Sequence, residues 1–403
     1  MHYLPVGTMA SGMPENYGGF GPGRQAAIYR EGAAGRPPRV PVSPDELEAA
    51  AQRVLAPSAF DYVAGGAGGE RTVHQNVAEF DRWHLVPRML RDVHERDTRV
   101  EVFGKQLPAP LLLAPVGALD VVRPDAELAV ARACVATGVP MVASTLTSHT
   151  LEEIATEMGG ATRWFQLYWG PDRDLNLSLV ARAERAGYSA LVVTLDTRII
   201  GWRNRDIRRG FLPFLGGVGL GNYIADPVFR SRLARPPEED LPTAVLRAVG
   251  SIGDPTFSWS DVRFLSERTS LPIVVKGIVH PQDAVDAMEA GANGLIVSNH
   301  GGRQVDGSIP TLRALPGVMA EAGQRVPVLL DSGIRHGSDI AKALALGARA
   351  VLIGRPYVWG LAVGGEEGVR SVVENLLADF DLTLALCGLA RPSELSRESI
   401  SAA

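Results

Sequence analysis

Eight short runs of β-branched and aliphatic residues recur between residues 110 and 354, and this repetition limits the possible folds more than any other feature. The runs are Pro110–Val116, Pro140–Thr145, Trp164–Tyr168, Ala190–Asp196, Pro272–Ile278, Gly294–Ser298, Pro327–Ser332 and Ala350–Gly354. Stretches rich in Ala, Leu and Glu with helical character separate them, for example Asp125–Thr137 and Pro281–Ala290. Continuous apolar strands are typical of parallel sheets buried on both faces. Eight strand–helix units of this kind predict an α/β fold, a closed (β/α)8 TIM barrel.

A doubly wound open sheet is the alternative fold for such alternating elements. That fold carries a dinucleotide-binding turn, G-x-G-x-x-G, after its first strand. The turn does not occur at the end of any of the eight runs. The barrel is therefore the preferred interpretation.

The N-terminal region divides into two parts. Residues 1–42 are rich in Gly and Pro, and we expect a flexible arm with no regular element, either disordered or laid on another subunit. Ser43 and Pro44, followed by two acidic residues, predict the start of a helix. We expect a helical extension to about residue 90 and assign residues 43–403 to the barrel domain.

Composition and charge exclude several classes of protein. A net charge of -5 offers no basic footprint for nucleic acid, so small-molecule chemistry is favoured. Cys134 and Cys387 are the only cysteines, which excludes a disulfide scaffold or a CxxC metal site, and we expect no metal. The chain shows no secretory leader pattern and no run of about 18 apolar residues. We therefore expect a soluble, cytoplasmic protein without membrane attachment.

One connection is much longer than the others and runs from Asp196 to about Ser260. It begins with four arginines, Arg203, Arg205, Arg208 and Arg209, and continues with a Gly-rich apolar stretch, Phe211–Tyr223. Long connections in compact domains are commonly lids or binding loops. We predict a lid over residues 201–258, called the lid segment below; a disordered insertion is the alternative.

The sixth run is followed by a short loop with two chemically active side chains. His300 is a base and Arg303 a cation, and Gly301 and Gly302 between them let the backbone approach a ligand closely. Barrel enzymes carry their chemistry at the carboxyl ends of the strands. This loop is therefore predicted to belong to an active site rather than to a solvated turn.

The last two runs end in sequences that predict a phosphate site. Asp331–Arg335 (DSGIR) follows the seventh run, and Gly354 and Arg355 follow the eighth. Barrels often bind phosphate at these two loops through backbone N–H groups and a helix start. Arg335 and Arg355 can add charge-assisted hydrogen bonds.

The other strand ends carry polar residues that an aliphatic core does not need. They are Ser144, Gln166, Tyr168, Thr194, Asp196, Lys276, Ser298 and His300. All lie at one end of the predicted barrel, as expected for a cofactor pocket. Gln, Ser and Thr suit the amide edge of a heterocycle such as a flavin, and Lys276 can stabilise negative charge on its reduced ring.

With these residues identified, the chain resembles the FMN-dependent 2-hydroxy-acid oxidases and dehydrogenases. The motifs that carry the resemblance are Ser298–Gln304 (SNHGGRQ), Asp331–Arg335, Gly354–Arg355, Phe165–Tyr168 (FQLY), Thr194–Asp196 (TLD) and Val275–Gly277 (VKG). The resemblance runs from about residue 43 to the C-terminus. It implies a (β/α)8 barrel and FMN as the cofactor.

The resemblance also implies roles for individual residues. His300 corresponds to the base that acts on the substrate, and Asp196 to the carboxylate that steadies its imidazolium. The positions that match the substrate site are Tyr62, Tyr168, Arg203 and Arg303, and we expect Tyr223 of the lid segment to contact the substrate too. The positions that match the FMN site are Pro115, Val116, Gly117, Ser144, Gln166, Thr194, Lys276, Ser298, Asp331, Ser332, Gly333, Ile334, Arg335, Gly354 and Arg355.

The implied reaction is the oxidation of a small L-2-hydroxy acid, with L-lactate favoured and O2 as the electron acceptor. The motifs Gly201–Asp206 (GWRNRD) and Phe211–Phe214 (FLPF), together with Gly117, resemble those of the branch of the family that decarboxylates its product. Arg198 departs from the pattern, because relatives often carry Pro or an apolar residue there. We also expect a homo-oligomer of four or more copies.

Three alternatives remain open from the sequence. The protein can be an oxidase that releases the 2-oxo acid and hydrogen peroxide. It can be a dehydrogenase that passes electrons to a membrane quinone, with the apolar part of the lid segment as the membrane contact. Finally, it can be a barrel that binds a phosphate ligand without redox chemistry, in which case the purified protein is colourless.

Overall fold

The eight apolar runs form consecutive parallel strands that close into a barrel in the computed structural model, which describes residues 19–403. In chain order the strands are β1 (Trp83–Leu85), β2 (Val100–Val102), β3 (Lys105–Leu107), β4 (Leu111–Leu113), β5 (Met141–Ala143), β6 (Arg163–Tyr168), β7 (Leu191–Thr194), β8 (Ile273–Ile278), β9 (Gly294–Val297), β10 (Val328–Leu330), β11 (Ala350–Ile353) and β12 (Ile400–Ala402). Strands β4 to β11 form the barrel, and β11 pairs with β4 to close it, with Leu352 opposite Leu112. The predicted (β/α)8 barrel is confirmed.

Helices surround the barrel and extend it at both chain ends. They are α1 (Phe20–Ala33), α2 (Pro44–Val54), α3 (Pro57–Ala64), α4 (Arg71–Ala78), α5 (Ala126–Thr137), α6 (Leu151–Met158), α7 (Arg173–Arg185), α8 (Asn204–Arg209), α9 (Gly221–Ile224), α10 (Pro227–Ser231), α11 (Leu241–Val249), α12 (Trp259–Ser266), α13 (Pro281–Glu289), α14 (Thr311–Ala322), α15 (Gly337–Ala345) and α16 (Arg355–Leu386). The backbone of α16 is not helical at Gly365, so this helix is kinked there. In residues 19–403, none of the helices combines the length and apolar character needed to cross a membrane.

Alternate residues of the barrel strands belong to two separate apolar cores, because successive side chains of a strand point to opposite faces. Leu112, Trp164 and Ile296 pack in one cluster with Val102 and Leu107 of the β2–β3 hairpin. The strand residues between them pack against the helices. The hairpin thus covers the amino end of the barrel, which leaves the carboxyl end for the functional site.

The N-terminal region differs in part from the prediction. Helix α2 begins after Ser43 with Pro44 in its first turn, as predicted. The expectation that residues 1–42 contain no regular element is wrong for α1, which packs against α16: the backbone N–H of Gly21 donates to Asp381 Oδ2 at 2.8 Å. Tertiary contacts thus stabilise a helix whose own sequence is a poor helix former. Residues 1–18 of the predicted arm lie outside the described part of the chain.

The lid segment is a chain of short helices, α8 to α11, so the alternative of a disordered insertion is wrong. Buried polar groups attach it to the barrel. The Asn222 side chain accepts from the N–H of Leu151 and donates to the Thr145 carbonyl and the Thr147 hydroxyl. The guanidinium of Arg182 lies 3.1 Å from Asp226 and is itself buried. The segment therefore has a defined position over the carboxyl end of the barrel.

Candidate active site

A cavity opens at the carboxyl end of the barrel, beneath the lid segment. It brings together most of the predicted site residues, which come from different strand ends. Those in its wall are Tyr62, Pro115, Val116, Gly117, Tyr168, Arg203, Lys276, His300, Arg303, Asp331, Ser332, Gly333, Ile334, Arg335, Gly354 and Arg355. Apolar side chains complete the wall, among them Leu146, Ile200, Phe214 and Ile252.

His300 is held from behind by a carboxylate. Its Nδ1 lies 2.7 Å from Asp196 Oδ1, and its backbone N–H donates to Ser298 Oγ at 3.1 Å. The residue has a φ of 59°, in the left-handed region that non-glycine residues rarely adopt. A hydrogen bond from Nδ1–H to Asp196 leaves Nε2 as the basic nitrogen.

Burial and nearby charges set the protonation of this pair. Burial lowers the pKa of His300, and Lys276 and Arg203 lower it further, against the opposing effect of Asp196. For Asp196, burial alone would raise the pKa, but His300 and Lys276 outweigh it and the pKa lies below its ordinary value. At neutral pH the site therefore holds a neutral imidazole next to an ionised carboxylate, the state required of a general base.

Two guanidinium groups share the wall of the cavity with His300. Arg303 Nη1 donates to the carbonyls of Tyr62 at 2.5 Å and Gly65 at 2.7 Å. Arg203 donates to the Arg303 carbonyl and to the side chain of Gln304. Burial and the charge of Arg203 lower the pKa of Arg303 to about 10, so this pair favours an anion beside it. Paired guanidiniums suit a planar carboxylate.

Of the three tyrosines predicted at the substrate site, two line the cavity. Burial raises the pKa of Tyr62 and Tyr168, so both phenols are neutral and can donate hydrogen bonds. Tyr223 is buried beside Phe229 and is not among the residues of the cavity wall, and its contact with the substrate stays a prediction. The lid segment instead contributes Phe214, whose ring lies 6.5 Å from that of Tyr62.

The loops after β10 and β11 carry the residues that are predicted to bind phosphate. Arg355, the first residue of α16, donates to the carbonyls of Val63, Gly65 and Gly301. Burial, and after it the charges of Arg303 and Arg335, lowers its pKa to about 9. A phosphate near this helix N-terminus would offset the repulsion between the positive charges of Arg355, Arg303 and Arg335. A Cβ on Gly333 would lie 2.1 Å from the Asn76 carbonyl, so the loop takes this conformation only with glycine.

Two buried polar networks lie behind the cavity. In the first, Gln166 accepts from the Ser144 hydroxyl at 3.1 Å and donates to Thr194 at 3.0 Å. In the second, Lys276 Nζ donates to Ser298 at 2.8 Å and lies 3.0 Å from Asp331. Burial would lower the pKa of Lys276, but Asp331 and Asp196 outweigh it, so the ammonium stays charged. The first network supplies amide-type donors and acceptors, and the second supplies a fixed positive charge.

The comparisons with known proteins agree with this geometry. The sequence pattern that defines the FMN-dependent dehydrogenases matches residues 51–402. The chain belongs to the FMN-dependent dehydrogenase family. The FMN-dependent alpha-hydroxy acid dehydrogenase qulF of Penicillium citrinum is 41% identical over 389 residues, which cover 96% of each chain. The L-lactate oxidase of Lysinibacillus sphaericus is 43% identical over 348 residues, covering 86% of this chain and 89% of that enzyme.

Solved structures show the same architecture. One is a soluble mutant of the membrane-associated (S)-mandelate dehydrogenase from Pseudomonas putida, which is 36% identical, with a TM-score of 0.81 over 90% of this chain and 99% of that chain. This FMN-dependent dehydrogenase is therefore an oxidoreductase of 2-hydroxy acids.

The residues of the cavity fit FMN in both charge and shape. The glycine-rich loops and helix N-terminus at Arg335 and Arg355 suit a single phosphate group. The Ser144–Gln166–Thr194 network suits the polar edge of an isoalloxazine ring, and the charge of Lys276 suits the anionic reduced form. We identify no second nucleotide-binding motif in the sequence, in agreement with FMN rather than FAD.

Two residues of this FMN-dependent dehydrogenase were missed as site residues from the sequence. Gln304 uses its whole carboxamide: it donates to the carbonyls of Asp196 and Ile199 and accepts from Gly201 N–H and Arg203. Thr197 lies in the cavity wall and contacts His300. Gln304 is the last residue of the SNHGGRQ motif, and Thr197 directly follows Asp196; these positions are the signals in the sequence that could have identified them.

Proposed function

We propose that this FMN-dependent dehydrogenase is a lactate 2-monooxygenase, which oxidises L-lactate with O2 and releases acetate, CO2 and water. The observation that carries the proposal is that His300, backed by Asp196, shares one cavity with the two guanidiniums of Arg203 and Arg303. Oxidation of a 2-hydroxy acid needs a base and an anchor for the carboxylate, and these residues supply them.

Each residue has a defined task in the proposed reaction. Arg203 and Arg303 hold the carboxylate of the substrate, and the phenols of Tyr62 and Tyr168 donate hydrogen bonds to its polar groups. His300 Nε2 takes a proton from the substrate, and Asp196 stabilises the resulting imidazolium. FMN, when bound, would supply the acceptor for the electron pair.

FMN binding is proposed to involve three parts of the site. Asp331–Arg335, Gly354 and Arg355 would hold the phosphate, and Pro115 to Gly117 would contact the ring. Ser144, Gln166, Thr194, Lys276 and Ser298 supply its polar contacts. The purified protein is expected to be yellow and to release FMN on denaturation; release of FAD contradicts this assignment.

The monooxygenase outcome depends on retention of the first product. Reaction of O2 with the reduced cofactor would yield hydrogen peroxide, which would convert a 2-oxo acid still in the cavity to the shorter acid, CO2 and water. Retention is favoured because the lid segment is attached to the barrel through Asn222 and Asp226, and lid opening often controls release. L-lactate, O2 and the three products balance without another reactant.

The second candidate is a simple oxidase, favoured by the similarity to the L-lactate oxidase of Lysinibacillus sphaericus. In that case the 2-oxo acid leaves before it meets hydrogen peroxide. Turnover of a panel of 2-hydroxy acids in air, with oxygen uptake and all products measured and catalase absent, separates the two. Acetate and CO2 with little peroxide support the monooxygenase, and stoichiometric pyruvate and peroxide support the oxidase.

A quinone-linked dehydrogenase is the third outcome of the same experiment. It predicts slow oxygen uptake and fast reduction of a quinone analogue. We also propose a homo-oligomer of four or more copies, which light scattering of the purified holoenzyme tests directly.

A further inference from the structure

The Thr197 hydroxyl completes a triangle with the two residues of the catalytic pair. Its Oγ1 lies 3.1 Å from His300 Nδ1 and 3.1 Å from Asp196 Oδ1. The third side is the 2.7 Å contact between Nδ1 and Oδ1. Thr197 is 8% exposed, so water does not readily replace these contacts.

A hydroxyl can donate one hydrogen bond and accept others, and this determines which atoms of Thr197, Asp196 and His300 donate and which accept. Thr197 has one proton, which it donates to Asp196 Oδ1. Its lone pairs then face His300 Nδ1, so the N–H of that nitrogen meets two acceptors. The other oxygen of Asp196, Oδ2, is buried and has no hydrogen-bond partner within residues 19–403. Within residues 19–403, the side-chain hydrogen bonds that hold this carboxylate are therefore made at Oδ1.

We propose that Thr197 is a positioning residue for His300: its hydroxyl and Asp196 together fix the Nδ1–H tautomer and stabilise the imidazolium formed when Nε2 takes the substrate proton. This inference rests on the proposed role of His300 as the base. It adds a residue that acts through the pair and does not itself react.

The charged groups around His300 make the effect of this hydroxyl measurable. Asp196 faces the ring from the loop after β7, Lys276 from β8 and Arg203 from the start of α8. Lys276 and Arg203 disfavour a second positive charge, and Asp196 opposes them. Thr197 is neutral and adds no net charge beside His300. Removing its hydroxyl therefore changes the hydrogen bonding of the pair without changing the number of charges around it.

Two substitutions separate the hydroxyl from the packing of the side chain. Thr197→Val keeps the shape and removes the hydroxyl, whereas Thr197→Ser keeps the hydroxyl and removes the methyl group. In anaerobic mixing of holoenzyme with L-lactate, we expect Thr197→Val to slow flavin reduction about 10-fold, typical for loss of a hydrogen bond to a charged group, with little change in substrate affinity. Thr197→Ser is expected to stay within about threefold of the parent.

The pH profile of kcat/KM distinguishes a hydrogen bond from packing, because a residue that only packs against His300 would leave this profile unchanged. Loss of the hydroxyl makes the imidazolium less stable, so the acid limb of kcat/KM moves to lower pH in Thr197→Val and not in Thr197→Ser. A second readout needs no turnover: oxalate binding to the holoenzyme, followed by the flavin absorbance at a series of pH values, is expected to shift in the same direction.

The outcomes distinguish this inference from the proposed function. An unchanged rate and pH profile in Thr197→Val overturn the inference while the proposed function stands. Equal impairment of Thr197→Ser and Thr197→Val also overturns it, because packing is then responsible. If the parent holoenzyme is not reduced by any 2-hydroxy acid, the proposed function fails, and the oxalate titration still decides the role of Thr197.

Discussion

His300 Nδ1 lies 2.7 Å from Asp196 Oδ1, and this contact joins the loop after β9 to the loop after β7. The base of the site and its charge partner thus come from strands that are separated by β8 in the barrel. The contact fixes which nitrogen faces the cavity. Its consequences for pH dependence and rate are open to direct measurement.

The activity of the parent enzyme is expected to persist to more acidic pH than the ordinary pKa of histidine suggests. Burial lowers the pKa of His300, and a base is active only when neutral, so kcat/KM stays level near neutral pH and falls only on acidification below that pKa. Asp196→Asn removes the group that opposes this shift. Its acid limb should therefore lie at still lower pH, with a rate reduced about 10²-fold or more. An acid limb at higher pH in the variant argues against this pairing.

The two arginines of the cavity wall are expected to control substrate affinity. Arg303→Lys removes a planar donor that a single ammonium cannot reproduce, so KM for L-lactate should rise about 10-fold or more. Arg198→Lys is the matched control, because Arg198 is exposed and does not line the cavity. Steady-state kinetics and thermal unfolding of both variants separate a binding defect from loss of stability. A KM for Arg303→Lys equal to that of the control rules out the proposed anchor.

Gln304 is expected to act on substrate binding through Arg203. Gln304→Leu removes the acceptor at 3.1 Å that orients the Arg203 guanidinium and the donors that hold the Asp196 and Ile199 carbonyls. We expect KM to increase about 10-fold, as for loss of hydrogen bonds to a charged group. Gln282→Leu, at an exposed position on α13, is the control. If both variants bind substrate equally well, Arg203 is positioned without Gln304.

Gly117 is expected to affect the reaction with oxygen more than the reaction with substrate. A Cβ at this position would lie 2.9 Å from Leu146 Cβ and 3.4 Å from Ser144 Oγ, so Gly117→Ala needs a small shift in the cavity wall. The space beside Gly117 is narrow and lies toward Leu146. We expect slower reoxidation by O2 with a smaller change in anaerobic reduction. Gly160→Ala is the control, since nothing lies within 4 Å of its added Cβ. An equal effect on both half-reactions contradicts this role.

The barrel could be predicted from the sequence because each strand is a continuous apolar run, and most of the predicted site residues lie at the ends of these runs. Helix α1 could not, because it begins Phe-Gly-Pro-Gly and its contact partner Asp381 lies about 360 positions away. Tyr223 was assigned to the substrate site because it belongs to the lid segment, and the position of its side chain relative to the cavity depends on the packing of α9, which the sequence alone does not give. The positions of Thr197 and Gln304 likewise depend on the approach of two loops.

The central claim is that His300 removes the substrate proton, and anaerobic mixing of the holoenzyme with L-lactate tests it most directly. The flavin absorbance reports reduction without interference from oxygen. We expect rapid bleaching in the parent and in the control His280→Ala, in which an exposed helix-capping histidine is lost. His300→Ala should retain its FMN and be reduced about 10²- to 10⁴-fold more slowly. Reduction of His300→Ala at the rate of the parent contradicts the account.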